Sequence, residues 1–234
     1  MAEEYDAESP SHVISTMVML LPYVRAERVT LLPVPLPFKE EIVPSEKLST
    51  TATWSAQDLS ALSSSLRPNS NSEQLAREAG RGAVEAGHDV EVLSLAGRDL
   101  RYCEGCMACH RLLYCPIQDD ANDLIKKVQE ADVVVFASPI YYYDICGQLK
   151  TFLDRTNPLY GQPYRFRDIY LITVSADDAP DTAKRAVSTL DGWICCFDKA
   201  RYAGGFNAGG MSEANVAGTH PEWMQKAYEL GKSI

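Results

Sequence analysis

From residue 58 onward, short apolar runs alternate with segments of helical periodicity. The continuous run at residues 133–136 is typical of a strand buried on both faces, whereas residues 73–86, which end before Gly87, predict a helix. Such alternation is typical of βαβ units and a parallel sheet. The predicted strands cover residues 57–62, 89–95, 132–138, 169–174 and 201–206, and the predicted helices cover residues 73–86, 119–130, 147–155, 180–197 and 221–230.

The first of these strands has the weakest pattern. Residues 57–62 contain only three apolar side chains, Leu59, Ala61 and Leu62, which is poor material for a central strand. A five-stranded doubly wound sheet nevertheless needs a strand just before Ser63. Either this strand is short and strained, or residues 13–21 supply the missing pairing.

Residues 1–57 have a different character, because proline recurs too often for a long helix. We expect an irregular N-terminal extension over residues 1–57, with short strands or extended arms as the alternative, and one α/β domain over residues 58–234. The prolines are Pro10, Pro22, Pro33, Pro35, Pro37 and Pro44.

Composition narrows the classes of partner. The chain has 234 residues and a formal net charge of −10, so long-range repulsion disfavours binding to nucleic acid or to an anionic membrane. The apolar stretch 13–24 is too short to span a bilayer and follows an acidic segment. Seven cysteines without an export signal indicate a reducing compartment, and we expect a cytoplasmic protein that binds small molecules.

The segment 63–75 lies between a predicted strand and a predicted helix. Unpaired backbone N–H groups and the positive end of the helix dipole make such a helix start a ready site for phosphate. Hydroxyl and amide side chains can add donors, and an arginine can place a cation beside the anion. An ordinary capped turn is the alternative on composition alone. The candidate phosphate-binding residues are Ser65, Arg67, Ser70, Asn71 and Ser72.

A second candidate segment, residues 138–155, begins where a buried strand ends, and ligands of open α/β sheets bind beyond such ends. Pro139 stiffens the exit, and Ile140, Tyr141 and Tyr142 can place backbone groups and aromatic faces beside a planar ring. Neighbours in an extended segment point to opposite sides, so three consecutive tyrosines cannot all be buried. Some of them must face a ligand, a partner or solvent.

Both segments resemble the motifs of the flavodoxin-like NADPH-dependent FMN reductases. In the first, Ser65, Arg67, Asn71 and Ser72 match position by position, while Ser64 stands where the family usually has glycine. The second matches a Ser/Thr-Pro-aliphatic-Tyr stretch that is followed by Gly-Gln-Leu-Lys and Asp-Arg. Its matching residues are Pro139, Tyr141, Gly147, Gln148, Lys150, Asp154 and Arg155.

The resemblance implies a flavodoxin-like sheet of order 2-1-3-4-5, bound FMN, NAD(P)H as co-substrate and a small electron acceptor. It also implies a homo-oligomer, at least a dimer. Residues 139–142 would contact the flavin, and the loop at residues 175–178 should face it as well. For Asp154 and Arg155, a solvated ion pair and a direct flavin role remain open.

Four cysteines, Cys103, Cys106, Cys109 and Cys115, form the pattern CxxCxxCx5C. Four thiolates at this spacing can hold an iron–sulfur cluster or zinc, and the segment resembles the iron–sulfur flavoproteins, which pair FMN with a [4Fe–4S] centre. It equally resembles cluster-free flavin reductases, in which such cysteines are free thiols, and this is the interpretation we expect.

His110 is a candidate proton donor, although a solvated side chain is the simpler interpretation. The remaining three cysteines, Cys146, Cys195 and Cys196, are expected to be buried.

Overall fold

The computed structural model describes residues 56–234, so nearly all of the predicted extension and residues 13–21 lie outside the described residues. No helix in the described part has the length and apolar character that a bilayer crossing needs. The strands are β1 (Asp58–Ser63), β2 (Asp89–Ser94), β3 (Val133–Tyr141), β4 (Asp144–Ile145), β5 (Asp168–Val174) and β6 (Arg201–Ala208). The α-helices are α1 (Asn71–Ala86), α2 (Cys109–Leu112), α3 (Ala121–Glu130), α4 (Gly147–Arg155), α5 (Lys184–Ile194) and α6 (Pro221–Lys232).

Five parallel strands form the sheet in the order β2-β1-β3-β5-β6, and β4 pairs antiparallel with the end of β3. Without β4, this is the expected order 2-1-3-4-5, so the flavodoxin-like α/β class is confirmed. The doubtful first strand is also confirmed, because Leu59 of β1 pairs with Val90 on one side and Val133 on the other. Small side chains suit this central strand because helices pack on both of its faces. The buried Ser60 hydroxyl, for example, donates a hydrogen bond to the Lys127 carbonyl of α3.

Each face of the sheet carries its own hydrophobic core. On one side, α3, α4 and α5 bury Phe136 and Phe152 together with the partly buried Trp193. On the other side, α1 and α6 pack so closely that a Cβ on Gly231 would lie 1.8 Å from the carbonyl oxygen of Ala79. Only glycine permits that approach of the two helix backbones.

Two expectations about the last third of the chain need correction. The predicted helix 180–197 is shorter in the structure, since α5 covers Lys184–Ile194. Cys195 and Cys196 therefore lie in the turn after α5 and are exposed, so their predicted burial is wrong, whereas Cys146 is buried as expected. Helical periodicity does not mark where a helix stops when no glycine or proline follows it.

Candidate functional site

A cavity of about 270 Å³ opens at the carboxyl edge of the sheet. The loops that follow β1, β5 and β6 contribute to its wall together with the last residues of β3, because parallel strands end at the same edge. The site is therefore assembled from segments that are distant in sequence.

Eight of the nine residues proposed from the sequence line this one cavity. They are Ser65, Arg67, Ser70, Asn71, Ser72, Pro139, Ile140 and Tyr141. The ninth, Tyr142, lies outside the cavity with 99% of its surface exposed.

Buried hydroxyl groups surround the start of α1. Ser70 is the N-cap residue, and its Oγ accepts a hydrogen bond from the Glu73 N–H over 3.2 Å. Ser70 Oγ and Ser72 Oγ are hydrogen-bonded to each other over 3.3 Å, which leaves one of the two hydroxyl protons for a ligand. Ser65 Oγ accepts from the Arg67 N–H. Ser65, Ser70 and Ser72 are each at most 3% exposed, so their remaining hydrogen-bonding capacity is directed into the cavity rather than to bulk water.

Arg67 is the cation of the cavity. Its side chain is exposed and makes neither a hydrogen bond nor an ion pair with any residue in the described part of the chain. A guanidinium without a protein partner beside buried hydroxyls can take a bidentate anion such as a phosphate.

Asn71 has a different role from its serine neighbours. Its Nδ2 donates to the Glu213 carbonyl over 2.7 Å, and its Oδ1 accepts from the N–H groups of Val216 and Ala217. The side-chain amide is thus occupied by the loop after β6. Asn71 holds that loop against α1, and one of its two Nδ2 protons has no partner among the described residues.

The end of β3 folds back on β4 as a hairpin, with Ile140 opposite Ile145 and Tyr141 opposite Asp144. The two turn residues, Tyr142 and Tyr143, have φ angles of 52° and 65°. Positive φ at both central positions is the geometry of a type I′ turn, which Asn-Gly fills at low cost and bulky side chains fill under strain. The strain lies directly beside the cavity.

Part of the cavity wall was missed by the sequence analysis. Val174, Ser175 and Ala176 belong to the loop for which a role was expected from residue 175 onward, but Met211, Ser212 and Ala214 were not predicted. Gly209 brings their loop close, since a Cβ there would lie 2.6 Å from the Asp178 Cα. The usable signal was that residues 209–214 follow the carboxyl end of another parallel strand.

The cysteine loop, residues 101–119, lies between β2 and α3. Cys103 and Cys106 are exposed, whereas Cys109 and Cys115 are buried. Within the described residues, no three cysteine, histidine or acidic side chains are grouped closely enough to hold a metal ion. Cys109 Sγ accepts a hydrogen bond from Asn157. His110 stacks on Tyr160, away from the cavity, so its position does not support a catalytic role there.

Arg155 anchors this loop from the last residue of α4. Its guanidinium donates to both carboxylate oxygens of Asp119 and to the carbonyls of Arg101 and Ile117. Of the two alternatives left open for Asp154 and Arg155, the structure excludes the solvated ion pair, because the Arg155 side chain is fully buried and Asp154 pairs with Lys150.

The electrostatics of this anchor follow from its burial. Burial alone would raise the pKa of Asp119, but hydrogen bonds from Arg155 and from the N–H groups of Arg101 and Ala121 outweigh it and lower that pKa. Burial opposes the charge of Arg155 as well, and its hydrogen bonds to Asp119 keep its pKa above the ordinary value. Both groups are charged at neutral pH.

Comparison with known proteins agrees with this geometry. The profile of the NADPH-dependent FMN reductases matches residues 58–193, which is more than half of the chain. The chain belongs to this family. The match ends inside α5, before β6 and the loop that completes the cavity.

Two curated relatives and one solved structure extend the comparison. An iron–sulfur flavoprotein of Methanocaldococcus jannaschii is 41% identical over 98 residues, which are 42% of this chain and 51% of that protein. An iron–sulfur flavoprotein of Archaeoglobus fulgidus is 33% identical over 97 residues, 42% of this chain and 44% of that protein. The alignments thus span about half the length of these relatives.

Among solved structures, an NAD(P)H:quinone oxidoreductase from Methanothermobacter marburgensis superposes with a TM-score of 0.59 at 16% identity. The superposition covers 76% of this chain and 97% of that protein. At this identity the similarity shows the fold alone.

Proposed function

We propose that the protein is an FMN-dependent oxidoreductase that takes hydride from NAD(P)H and reduces a flavin, a quinone or another small acceptor. The observation that carries the proposal is the cavity, where buried hydroxyls and an unpaired arginine lie opposite the Pro139–Tyr141 segment. Membership of the FMN reductase family supports the same cofactor.

The donor set at the start of α1 fits the phosphate of FMN. Ser65 and one member of the hydrogen-bonded Ser70–Ser72 pair offer hydroxyl protons in a site shielded from water, and Arg67 offers the countercharge. The first-turn N–H groups of α1 add the positive end of a 16-residue helix. Asn71 keeps the opposite wall in place through the loop after β6.

The hairpin side of the cavity fits the flavin ring. Pro139 and Ile140 are half-buried, and Tyr141 lines the cavity with 48% of its surface exposed, so it offers an aromatic face at the opening. We assign Tyr142 to the rim of the site, where its exposed ring can contact a substrate or a partner subunit. When bound, FMN supplies the hydride acceptance and donation.

The side chains that line the cavity are suited to a reaction in which a bound cofactor, and not the protein, performs the chemical step. Among residues 56–234, its lining contains no histidine, lysine, aspartate or glutamate, and the ionisable groups there are Arg67 and Tyr141. A reaction that relies on acid–base catalysis by the protein needs a titratable group within hydrogen-bond reach of the reacting atoms. The residues here bind, orient and shield instead.

Extraction of the cofactor and a turnover assay test this proposal. The purified protein should release FMN and not FAD on denaturation, because the cavity provides for a single phosphate. The FMN-loaded protein should oxidise NADPH or NADH when a quinone is added, and protein stripped of flavin should not. FAD at full occupancy, or oxidation that is indifferent to flavin, would overturn the proposal.

We also propose a homo-oligomer in a reducing, cytoplasmic compartment. All seven cysteines are free thiols, which supports the compartment. Of the ten large hydrophobic side chains exposed in the described part, seven belong to the cysteine loop or to the β3–β4 hairpin: Tyr102, Met107, Leu113, Tyr114, Tyr141, Tyr142 and Tyr143. Such a concentration is typical of a protein–protein surface. Light scattering that gives a monomer mass would contradict this assignment.

The second candidate is an iron–sulfur flavoprotein that exchanges electrons between FMN, a [4Fe–4S] cluster and a ferredoxin-like partner. The names of the curated relatives and the CxxCxxCx5C pattern favour it. The arrangement of the thiols does not, since two are exposed, two are buried and no three ligands are grouped among the described residues. Iron and acid-labile sulfide, measured after anaerobic purification, separate the two candidates.

A further inference from the structure

A second cavity, of about 360 Å³, lies on the other side of the β1–α1 loop. The two cavities share the segment 65–67 as a wall, since Ser65 and Arg67 line the first and Leu66 lines the second. The remaining wall comes from the loop after β2 and from α4. These residues are Leu95, Arg98, Leu100, Tyr102, Gly147, Gln148 and Thr151. Apart from this shared segment, the two cavities have no lining residue in common, so the second is a separate site.

One part of this wall is apolar. Leu95 is buried, Leu100 is half-buried, and Leu66 and Tyr102 expose 52% and 78% of their surfaces. An apolar body that covers these side chains would remove hydrophobic surface from water. The volume lies within the range of small-molecule sites.

The other part of the wall is polar and positively charged. The Arg98 guanidinium makes no hydrogen bond or ion pair with the residues that the structure describes, and the same holds for the side chains of Gln148 and Thr151. Gly147 and Gln148 are the first two residues of α4, so the positive end of this helix adds to the field of Arg98. In a chain of net charge −10, an unpaired cation in an apolar cavity selects for a negative group.

We propose that this second cavity binds a small organic anion that has an apolar or aromatic body and one carboxylate or sulfonate group. Arg98 takes the anionic group, Gln148 and Thr151 complete its hydrogen bonds, and the leucines with Tyr102 cover the body. The occupant lies next to the phosphate-binding loop, separated from the first cavity by a single turn of chain. The inference does not depend on what the first cavity holds.

Isothermal titration calorimetry with 1-naphthoate as the probe tests the proposal, with its neutral amide, 1-naphthamide, as the matched ligand. Titrations are run with and without saturating FMN. We expect naphthoate to bind in both conditions, about tenfold more tightly than naphthamide because of the charge-assisted bond to Arg98. Loss of naphthoate binding on addition of FMN would place the probe in the first cavity and overturn the proposal.

Three single variants test whether the probe binds in the second cavity. Arg98→Gln should weaken naphthoate by about tenfold and leave naphthamide unchanged, whereas Arg185→Gln, which removes an exposed arginine of α5, should change neither. Gly147→Leu should weaken both ligands, because a Cβ at Gly147 meets no atom within 4 Å and the new side chain grows into the open space. Retained FMN content would show that these variants fold. Equal effects of Arg98→Gln and Arg185→Gln, or no binding of naphthoate at all, would overturn the proposal.

Discussion

Arg155 and Asp119 form a fully buried ion pair in which the guanidinium donates to both carboxylate oxygens, over 2.5 and 2.8 Å. The pair joins the last turn of α4 to Asp119, two residues before the start of α3. Because Arg155 also donates to the Arg101 and Ile117 carbonyls, it ties down both ends of the cysteine loop. One side chain therefore determines the path of a segment that has little regular structure of its own.

Removal of one partner of this pair should be strongly destabilising. Arg155→Met leaves the Asp119 carboxylate buried without its countercharge, which typically costs about 3–5 kcal/mol. The double variant Arg155→Met, Asp119→Leu should recover part of that loss, since no buried charge remains. Urea unfolding followed by circular dichroism measures both. A double variant no more stable than Arg155→Met would show that the lost hydrogen bonds to the loop carbonyls, and not the charge, dominate.

The same pair should make stability depend on acidic pH. The folded-state pKa of Asp119 lies below the value of about 3.9 expected for an unfolded aspartate, so the unfolded state takes up the proton first. The stabilisation from Asp119 is thus complete above that unfolded value and is lost as the pH falls toward the folded-state pKa. Between pH 5 and pH 2, about the range set by these values, the free energy of unfolding should fall less for Asp119→Asn than for the wild type. Asp154→Asn, which removes an exposed carboxylate, is the control.

Arg67→Ala should weaken FMN binding by about tenfold or more, because it removes a charge-assisted hydrogen bond to the phosphate. Riboflavin, which lacks the phosphate, should lose much less affinity. Flavin fluorescence titration of stripped protein measures both constants, and Arg185→Ala is the matched surface control. If FMN and riboflavin lose affinity equally, Arg67 shapes the loop instead of binding the phosphate.

Relief of the backbone strain in the β3–β4 hairpin should raise the free energy of unfolding and lower the activity. Tyr142→Asn with Tyr143→Gly places the residues that a type I′ turn prefers at the two positions of positive φ, and we expect a gain of roughly 1–2 kcal/mol in unfolding free energy. NAD(P)H oxidation should decrease, since the exposed tyrosine rings at the rim are lost. Tyr160→Asn, at an exposed tyrosine with an ordinary φ of −66°, should give no such gain. Unchanged turnover would remove the tyrosines from the functional site.

Replacement of the two exposed cysteines, Cys103→Ser with Cys106→Ser, tests the role of the cysteine loop without disturbing buried groups. We expect FMN content and NAD(P)H oxidation to stay close to wild type, with no iron lost. Cys195→Ser with Cys196→Ser, the exposed pair after α5, controls for general thiol effects. About four irons per chain in the wild type, lost in the first variant together with electron transfer, would establish the iron–sulfur candidate.

The sequence was sufficient to predict an element where the residues that form the element also mark it in the sequence. The buried run of β3 was located correctly, and α1 was found although it begins at Asn71, two residues before the predicted start. Eight of the proposed residues line the cavity. The sequence did not predict hydrogen bonds between residues that are far apart in the chain. Nothing near Arg155 identifies Asp119, 36 residues away, as its partner. Nor does any motif reveal that the Asn71 amide also holds a loop 142 residues further on.

The boundary of the family match has a practical consequence for anyone who dissects this protein. A fragment trimmed to residues 58–193 would keep every motif that identifies the family. It would lack an edge strand, the wall formed by Met211, Ser212 and Ala214, and the three backbone partners of Asn71. The α1–α6 contact at Gly231 would be lost with them. Expression fragments and domain transplants should therefore extend through α6, since the region that defines the family is smaller than the unit that forms the cavity.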